Sequence, residues 1–348
     1  VLHLLRRRFA HGRGLCWIGP YLCVQCNSTA LNSSSSSKPQ SEAEEDKLAW
    51  QSASLCESRP APSVPTFGAY ILHRMLSLGR SQGIALLGDG TCIESLGRML
   101  RLVRRVQEMR GHSSGAELAE TAEAGVLALH AFSSAAARVE DASGRVDGCA
   151  IWLRLRFDAA GRLVGGRLRS TLFHPARIAA GCAAGGGTIA ADGGGVACLD
   201  VVRLLLTGAS KSERKELRLG ELRTLSSTMA AADKSASKSS EAAGIVDDAM
   251  AGIFKELAFR KLRERMMLAG VDGDDQKQIW RVLAALLHLA SLPASSTTAS
   301  TVEFCARLLG LSTDALTTWV SNDVGRKRIA FLSTAYTALF DWLVQRVD

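Results

Sequence analysis

The chain has 348 residues, of which 47% are hydrophobic but only 5% are aromatic, so Leu, Ala and Val must fill any core. This length allows one large domain or two or three smaller ones. The net charge of +8 suits an acidic partner, although it is also common on ordinary protein surfaces. No RNA-binding signature, zinc-finger spacing or membrane-length apolar run accompanies this charge, so we expect neither a nucleic-acid partner nor a membrane span.

The first part of the chain divides into two segments. Residues 1–27 are predicted to form a helix and then a strand, and residues 28–65, with a serine run and several prolines, form a low-complexity insert. The chain starts with Val rather than Met, so we expect it to begin inside a longer protein. Its nine cysteines include one CxxC, Cys23 to Cys26, and form no disulfide framework. We therefore expect reduced, buried thiols in a cytoplasmic protein.

A helix at 69–78 and a short apolar strand at 84–87 lead into a turn and then a helix at 96–109. A phosphate-binding loop has this strand–turn–helix context and reads G-x-x-x-x-G-K-[ST]. The corresponding positions here are Gly88, Asp89, Gly90, Thr91, Cys92, Ile93, Glu94 and Ser95.

Two of the working residues of such a loop are replaced. Ile93 stands where the second glycine would let the backbone approach the phosphate, and Glu94 stands where a lysine would neutralise it. A carboxylate would repel the phosphate by about 1 to 4 kcal/mol at ~4 Å, depending on the effective dielectric constant. The segment is therefore either a degenerate nucleotide site or an ordinary strand–turn–helix that never bound phosphate.

The rest of the chain follows three patterns. A helix at 116–132 precedes a predicted hairpin. Apolar and polar residues alternate along its first strand at 153–157, residues 158–161 form the turn, and residues 163–172 form the second strand. Residues 66–178 are therefore predicted to form the sheet region. Residues 179–198 are a Gly/Ala-rich loop that we expect to be mobile. Residues 199–348 form a helical subdomain, with Asp272 capping one helix and a charged break at 211–215. Its predicted helices lie at 199–206, 245–269, 276–292, 302–309 and 329–347.

Several blocks in this order are distinctive. They read LHAF at 129–132, FDAAG at 157–161, AALLHL at 284–289, ARLLG at 306–310 and LFDWLV at 339–344. Together they resemble the N-terminal half of a myosin motor domain, and the departures from its pattern look closest to the class-eighteen unconventional myosins.

The resemblance implies an α/β fold of the P-loop NTPase type, with a central twisted mixed sheet, flanking helices and a helical upper-cleft subdomain. The head would be incomplete, since switch II would lie beyond Asp348. The family's switch I, N-x-N-S-S-R-F, falls on a segment that retains Ser143, Gly144 and Arg145 but neither asparagine. The implied cofactors are ATP and Mg²⁺, which Ser95 and Ser143 would ligate if nucleotide binds.

Three functions follow as alternatives. The first is a myosin-like head fragment that tethers actin or another partner with weak or no ATPase activity. The second is an ATP-binding, actin-activated motor in a full-length parent, and the third is a decayed, non-functional gene product. The resemblance also implies the actin filament as partner, a cytoskeleton-associated location in a myosin complex, and a homodimer formed through a tail outside this chain.

Overall fold

The computed structural model describes eleven stretches of the chain: 15–18, 22–25, 64–79, 81, 92–136, 145–146, 149–172, 199–222, 248–292, 299–321 and 326–348. They belong to two compact units. Unit 1 comprises Val1–Glu123 and Arg154–Arg167, and unit 2 comprises Ala124–Leu153 and Leu168–Asp348. Several predicted features lie outside the described residues: the helix at 1–5, the strand at 84–87, the Gly/Ala-rich loop at 179–198, most of the insert at 28–65, and Cys26. Leu199 is the first described residue after the Gly/Ala-rich loop.

The described strands form three two-stranded pairs, β1 with β2, β3 with β4 and β5 with β6. Their bounds are β1 Leu15–Ile18, β2 Leu22–Gln25, β3 Ala135–Ala136, β4 Arg145–Val146, β5 Cys149–Phe157 and β6 Leu163–Leu172. The helices are α1 Val64–Leu78, α2 Cys92–Met109, α3 Ser113–Ser133, α4 Asp200–Gly208, α5 Lys211–Glu216, α6 Asp248–Leu268, α7 Gly273–Ser291, α8 Ala299–Leu309, α9 Thr313–Ser321 and α10 Arg326–Val347, with a 3₁₀ turn at Leu219–Leu222.

The core of unit 1 joins α1 and α2 to the turn end of the β5–β6 hairpin. Apolar side chains recur on one side of α2 at a helical spacing, which places them together against α1. Half-buried side chains of β5 pack onto the same cluster, because alternate residues of a strand face one side. The buried members are Ala69, Leu72, Leu102, Val103, Val106, Ala119 and Leu163.

The core of unit 2 is built around α7, which contacts α6, α8 and α10. From Leu283 to Ala290 every side chain of this helix is buried, so it is apolar on all sides, as expected for a central helix. Asp272 caps the helix by accepting hydrogen bonds from the amides of Asp274 and Asp275 at 3.0 and 2.8 Å, which confirms the predicted cap.

The predicted helices within the described ranges are present, with bounds that differ by a few residues. The predicted break at 211–215 is wrong, because these residues form α5. Ser210 accepts a hydrogen bond from the Glu213 amide, and the Glu213 carboxylate accepts one from the Ser210 amide. This capping box stabilises the start of a short, charged helix. Because the helix is exposed, its sequence has no hydrophobic periodicity from which it could be predicted. Strands β1, β3 and β4 and helix α9 were not predicted.

The predicted hairpin is confirmed, and its turn carries Gly161 at a φ of +75°. Over the described ranges the chain is mainly helical, and each of its strands pairs with one neighbour. The twisted mixed sheet of a P-loop NTPase therefore stays a prediction. No helix in these ranges is both long and apolar enough to cross a membrane.

Candidate functional site

The start of α2 carries the second half of the predicted phosphate loop. The helix begins at Cys92, so the backbones of Ile93, Glu94 and Ser95 lie in its first turn. The Ile93 side chain is buried, with 6% of its surface exposed. A large apolar side chain thus lies within the protein at the position where a phosphate loop has a glycine. Gly88, Asp89, Gly90 and Thr91 lie outside the described residues.

Sequence reasoning missed a signal at the same place. Thr91 and Glu94 have the T-x-x-E spacing of a capping box, which predicts a helix that begins at residue 92. The observed first residue of α2 is Cys92, which agrees with that pattern. A carboxylate in the first turn also interacts favourably with the positive end of the helix dipole.

The basic side of α2 is held against α3 by ion pairs. Nη1 of Arg101 lies 3.1 Å from Oε1 of Glu123, and Nη1 of Arg104 lies 3.1 Å from Oε1 of Glu120. The Glu123 side chain is only 12% exposed, so its charge is compensated by a partly buried guanidinium. These arginines are therefore engaged in ion pairs within unit 1.

The predicted switch I segment is described only at its end. Ser143 and Gly144 lie outside the described residues, whereas Arg145 is in β4, with its backbone paired to Ala136 in an antiparallel bridge. The phosphate-loop residues belong to unit 1 and Arg145 belongs to unit 2. The assignments of Ser95 and Ser143 as Mg²⁺ ligands stay predictions.

Sequence reasoning also missed a buried amide that fixes the hairpin turn. Gln107 is fully buried in α2; its Nε2 donates to the Gly161 carbonyl at 3.0 Å, and its Oε1 accepts from the Leu163 amide at 2.9 Å. One side chain thereby satisfies an acceptor and a donor of the turn, as a neighbouring strand would. A Cβ on Gly115 would lie 2.4 Å from the same Oε1, so the position after the turn between α2 and α3 must stay small.

The predicted core histidine is confirmed, since His288 is 3% exposed. Its Nε2 lies 3.0 Å from the Leu217 carbonyl, which can only accept, so this nitrogen carries the proton. The ring meets Phe304 edge-on at 5.4 Å, and the Arg218 guanidinium lies 4.3 Å from the centre of the Phe304 ring. Burial lowers the pKa of His288 against the opposing effects of the Leu217 hydrogen bond and Glu221, and Arg218 lowers it further. The geometry is that of a neutral, structural imidazole.

The lowered pKa of His288 predicts that the stability of the fold depends on pH. The unfolded chain binds a proton at His288 near pH 6.5, whereas the folded chain binds it only at a lower pH. The free energy of unfolding should therefore fall as the pH drops from about 6.5 towards the lowered pKa, and should not change through this group above that range. Urea unfolding at steps between pH 7.5 and 5 would measure it. His288→Gln should reduce the dependence of the free energy of unfolding on pH. The same pH dependence in both proteins would contradict the lowered pKa of His288.

The two buried thiols among the described residues, those of Cys149 and Cys305, do not form a reactive site. Burial raises the pKa of the Cys305 thiol to about 12, so it stays protonated, and its Sγ donates to the Ala285 carbonyl at 3.6 Å. Cys149 is also buried and donates to Oγ of Ser133 at 3.0 Å. Across the described residues no group of three or more His, Cys, Asp or Glu side chains is placed to hold a metal ion. No family model matches the chain, and no curated protein matches it either.

Proposed function

We propose that this chain is a binding protein, a myosin-like head segment that tethers an actin filament or another partner without turning over ATP. The observation that carries the proposal is the first turn of α2, where the buried Ile93 replaces a glycine that the phosphate requires. The resemblance of the sequence blocks supplies the class of partner.

The chemistry of that turn opposes a triphosphate. Helix N-termini bind phosphate through unpaired amides, and a phosphate loop adds a glycine for close approach and a lysine for charge. Here the sequence has the T-x-x-E pattern of a capping box, and it has a glutamate, Glu94, at the position where a phosphate loop has its lysine. A capping box would stabilise the start of α2, and like charge would weaken a bound nucleotide.

Two measurements on the 348-residue chain test the proposal. A fluorescent ATP analogue with Mg²⁺ should show no saturable binding below about a millimolar, because several kcal/mol of phosphate contacts are lost. The chain should sediment with actin filaments to the same extent with and without ATP. Micromolar binding of the analogue together with actin-stimulated phosphate release would overturn the tether in favour of a motor. Failure to sediment would remove actin as the partner.

A double substitution tests whether the segment at 88–95 is a degenerate phosphate-binding loop. Ile93→Gly with Glu94→Lys restores the two replaced residues and should strengthen binding of the ATP analogue at least tenfold, because like charge becomes opposite charge at the phosphate. Glu117→Lys, at an exposed position of α3, adds the same charge elsewhere in unit 1 and should leave binding unchanged. Equal affinities for all three proteins would show that the segment at 88–95 is not a phosphate-binding loop.

A further inference from the structure

The turn end of the β5–β6 hairpin has one face that packs on the core and one face that is exposed. Residues 154–167, here called the hairpin arm, pack Leu155, Phe157 and Leu163 onto the core cluster of unit 1. The alternate residues of the same two strands, Arg154, Arg156, Val164 and Gly166, are exposed, as is Arg167. The arm therefore presents a surface of fixed backbone geometry to solvent.

The charge of the hairpin arm is strongly one-sided. Four of its fourteen residues are arginine, none is lysine, and its single acid is Asp158. That acid is already engaged, because the amide and Nε of Arg162 donate to its two carboxylate oxygens at 2.9 and 2.7 Å. Within the described residues neither Arg154 nor Arg156 makes an ion pair. Two arginines without an ion pair thus lie two positions apart on the exposed side of β5, with about 6.5 Å between their Cα atoms.

Two glycines keep this face flat beside the arginines. A Cβ on Gly165 would lie 3.2 Å from Nη2 of Arg156, so the guanidinium lies directly over the glycine backbone. A Cβ on Gly166 would lie 3.1 Å from the Arg154 carbonyl oxygen. Larger residues at either position would displace the arginine or part the strands, and a partner can instead approach both side chains closely.

We propose that the outer face of the hairpin arm, Arg154, Arg156, Val164 and Arg167, is a docking surface for an acidic protein surface. Guanidinium groups pair with carboxylates in bidentate geometry, and protein interfaces are enriched in Arg and depleted in Lys. Single-stranded nucleic-acid sites stack successive bases on several aromatic side chains. Within 149–172 the one exposed aromatic side chain is that of Trp152, two residues before Arg154 in β5, and tryptophan is itself enriched in protein interfaces. The inference rests on the proposed function in one respect, which is that the acidic surface is that of the actin filament.

The test compares charge reversal on and off this face in the full chain. Arg154→Glu with Arg156→Glu should weaken co-sedimentation with actin filaments roughly tenfold or more at low salt. Lys261→Glu with Arg265→Glu makes the same change in charge at exposed positions of α6 and should stay within about twofold of the unaltered chain. Circular dichroism and the thermal transition of each variant establish that it is folded.

The outcomes separate this inference from the proposed function. If the unaltered chain and both double variants sediment with actin filaments to the same extent, the proposed docking surface is wrong and the proposed tethering function is unaffected. If the unaltered chain does not sediment, actin is wrong, and a fluorescent twelve-residue polyglutamate peptide then tests the surface by itself, with the same variants. Binding of that peptide lost only in Arg154→Glu/Arg156→Glu supports the surface. Equal peptide binding by all proteins overturns it, as would tighter binding to a single-stranded oligonucleotide or to phosphatidylserine vesicles through the same arginines.

Discussion

Replacing Gln107 by Leu should lower the free energy of unfolding of unit 1 by roughly 2 to 6 kcal/mol. Leucine fills a similar volume but leaves the Gly161 carbonyl and the Leu163 amide without the hydrogen bonds that Gln107 makes at 3.0 and 2.9 Å. Each buried backbone group that loses its partner costs about 1 to 3 kcal/mol. The loss is concentrated at the hairpin turn, because the rest of the apolar cluster of α1 and α2 is unchanged.

Two readouts locate that effect. Urea unfolding gives the change in free energy, and hydrogen exchange on residues 158–168 should show faster exchange of the Leu163 amide. The neighbouring substitution Glu108→Leu, whose side chain is 55% exposed, is the matched control and should change stability by less than about 0.5 kcal/mol. Unchanged exchange at Leu163 in Gln107→Leu would show that the amide is not the partner that holds the turn.

The helices and the hairpin could be predicted from sequence where hydrophobic periodicity and capping residues agree. Helix α7 has both, because Asp272 caps a run of apolar residues, and its core position follows. Helix α5 has only the cap, since five of its six residues are charged and none is buried, so hydrophobic periodicity failed to predict it. Helix α9 has few buried side chains among its described residues, so its apolar periodicity is weak. The capping serine at its start, Ser312, which accepts a hydrogen bond from the Ala315 amide, was overlooked.

The candidate site was harder to predict because its determinants are interactions over long sequence distances. Gln107 and Leu163 are 56 positions apart, and no local pattern distinguishes this glutamine from an exposed one on the same helix. The residues of the phosphate loop were found by motif, yet a motif cannot show that Ile93 is buried. The T-x-x-E pattern at the same place was readable from the sequence, and it favours a self-capped helix over a phosphate cradle.

The second large effect is expected at Trp280, at the centre of unit 2. Its side chain is 2% exposed and lies between two aromatic rings, with ring centres 6.3 Å from Phe132 and 5.0 Å from Phe259. These rings bring together α3, α7 and α6. Trp280→Ala should therefore lower the free energy of unfolding of unit 2 by about 3 to 5 kcal/mol, through lost burial and the cavity that remains. Urea unfolding followed by circular dichroism would measure it.

Trp280→Phe separates the contribution of the aromatic ring of Trp280 to packing from the cost of burying its indole N–H. Among the described residues Nε1 of Trp280 is buried without an acceptor, so the indole carries an unsatisfied donor whose burial costs about 1 to 3 kcal/mol. Phenylalanine keeps an aromatic ring between Phe132 and Phe259 and removes that donor, so its smaller volume should be largely offset and the net loss should stay below about 1.5 kcal/mol. If Trp280→Phe instead cost as much as Trp280→Ala, the indole nitrogen would have to stabilise the fold, and the packing of the ring alone would not account for the core of unit 2.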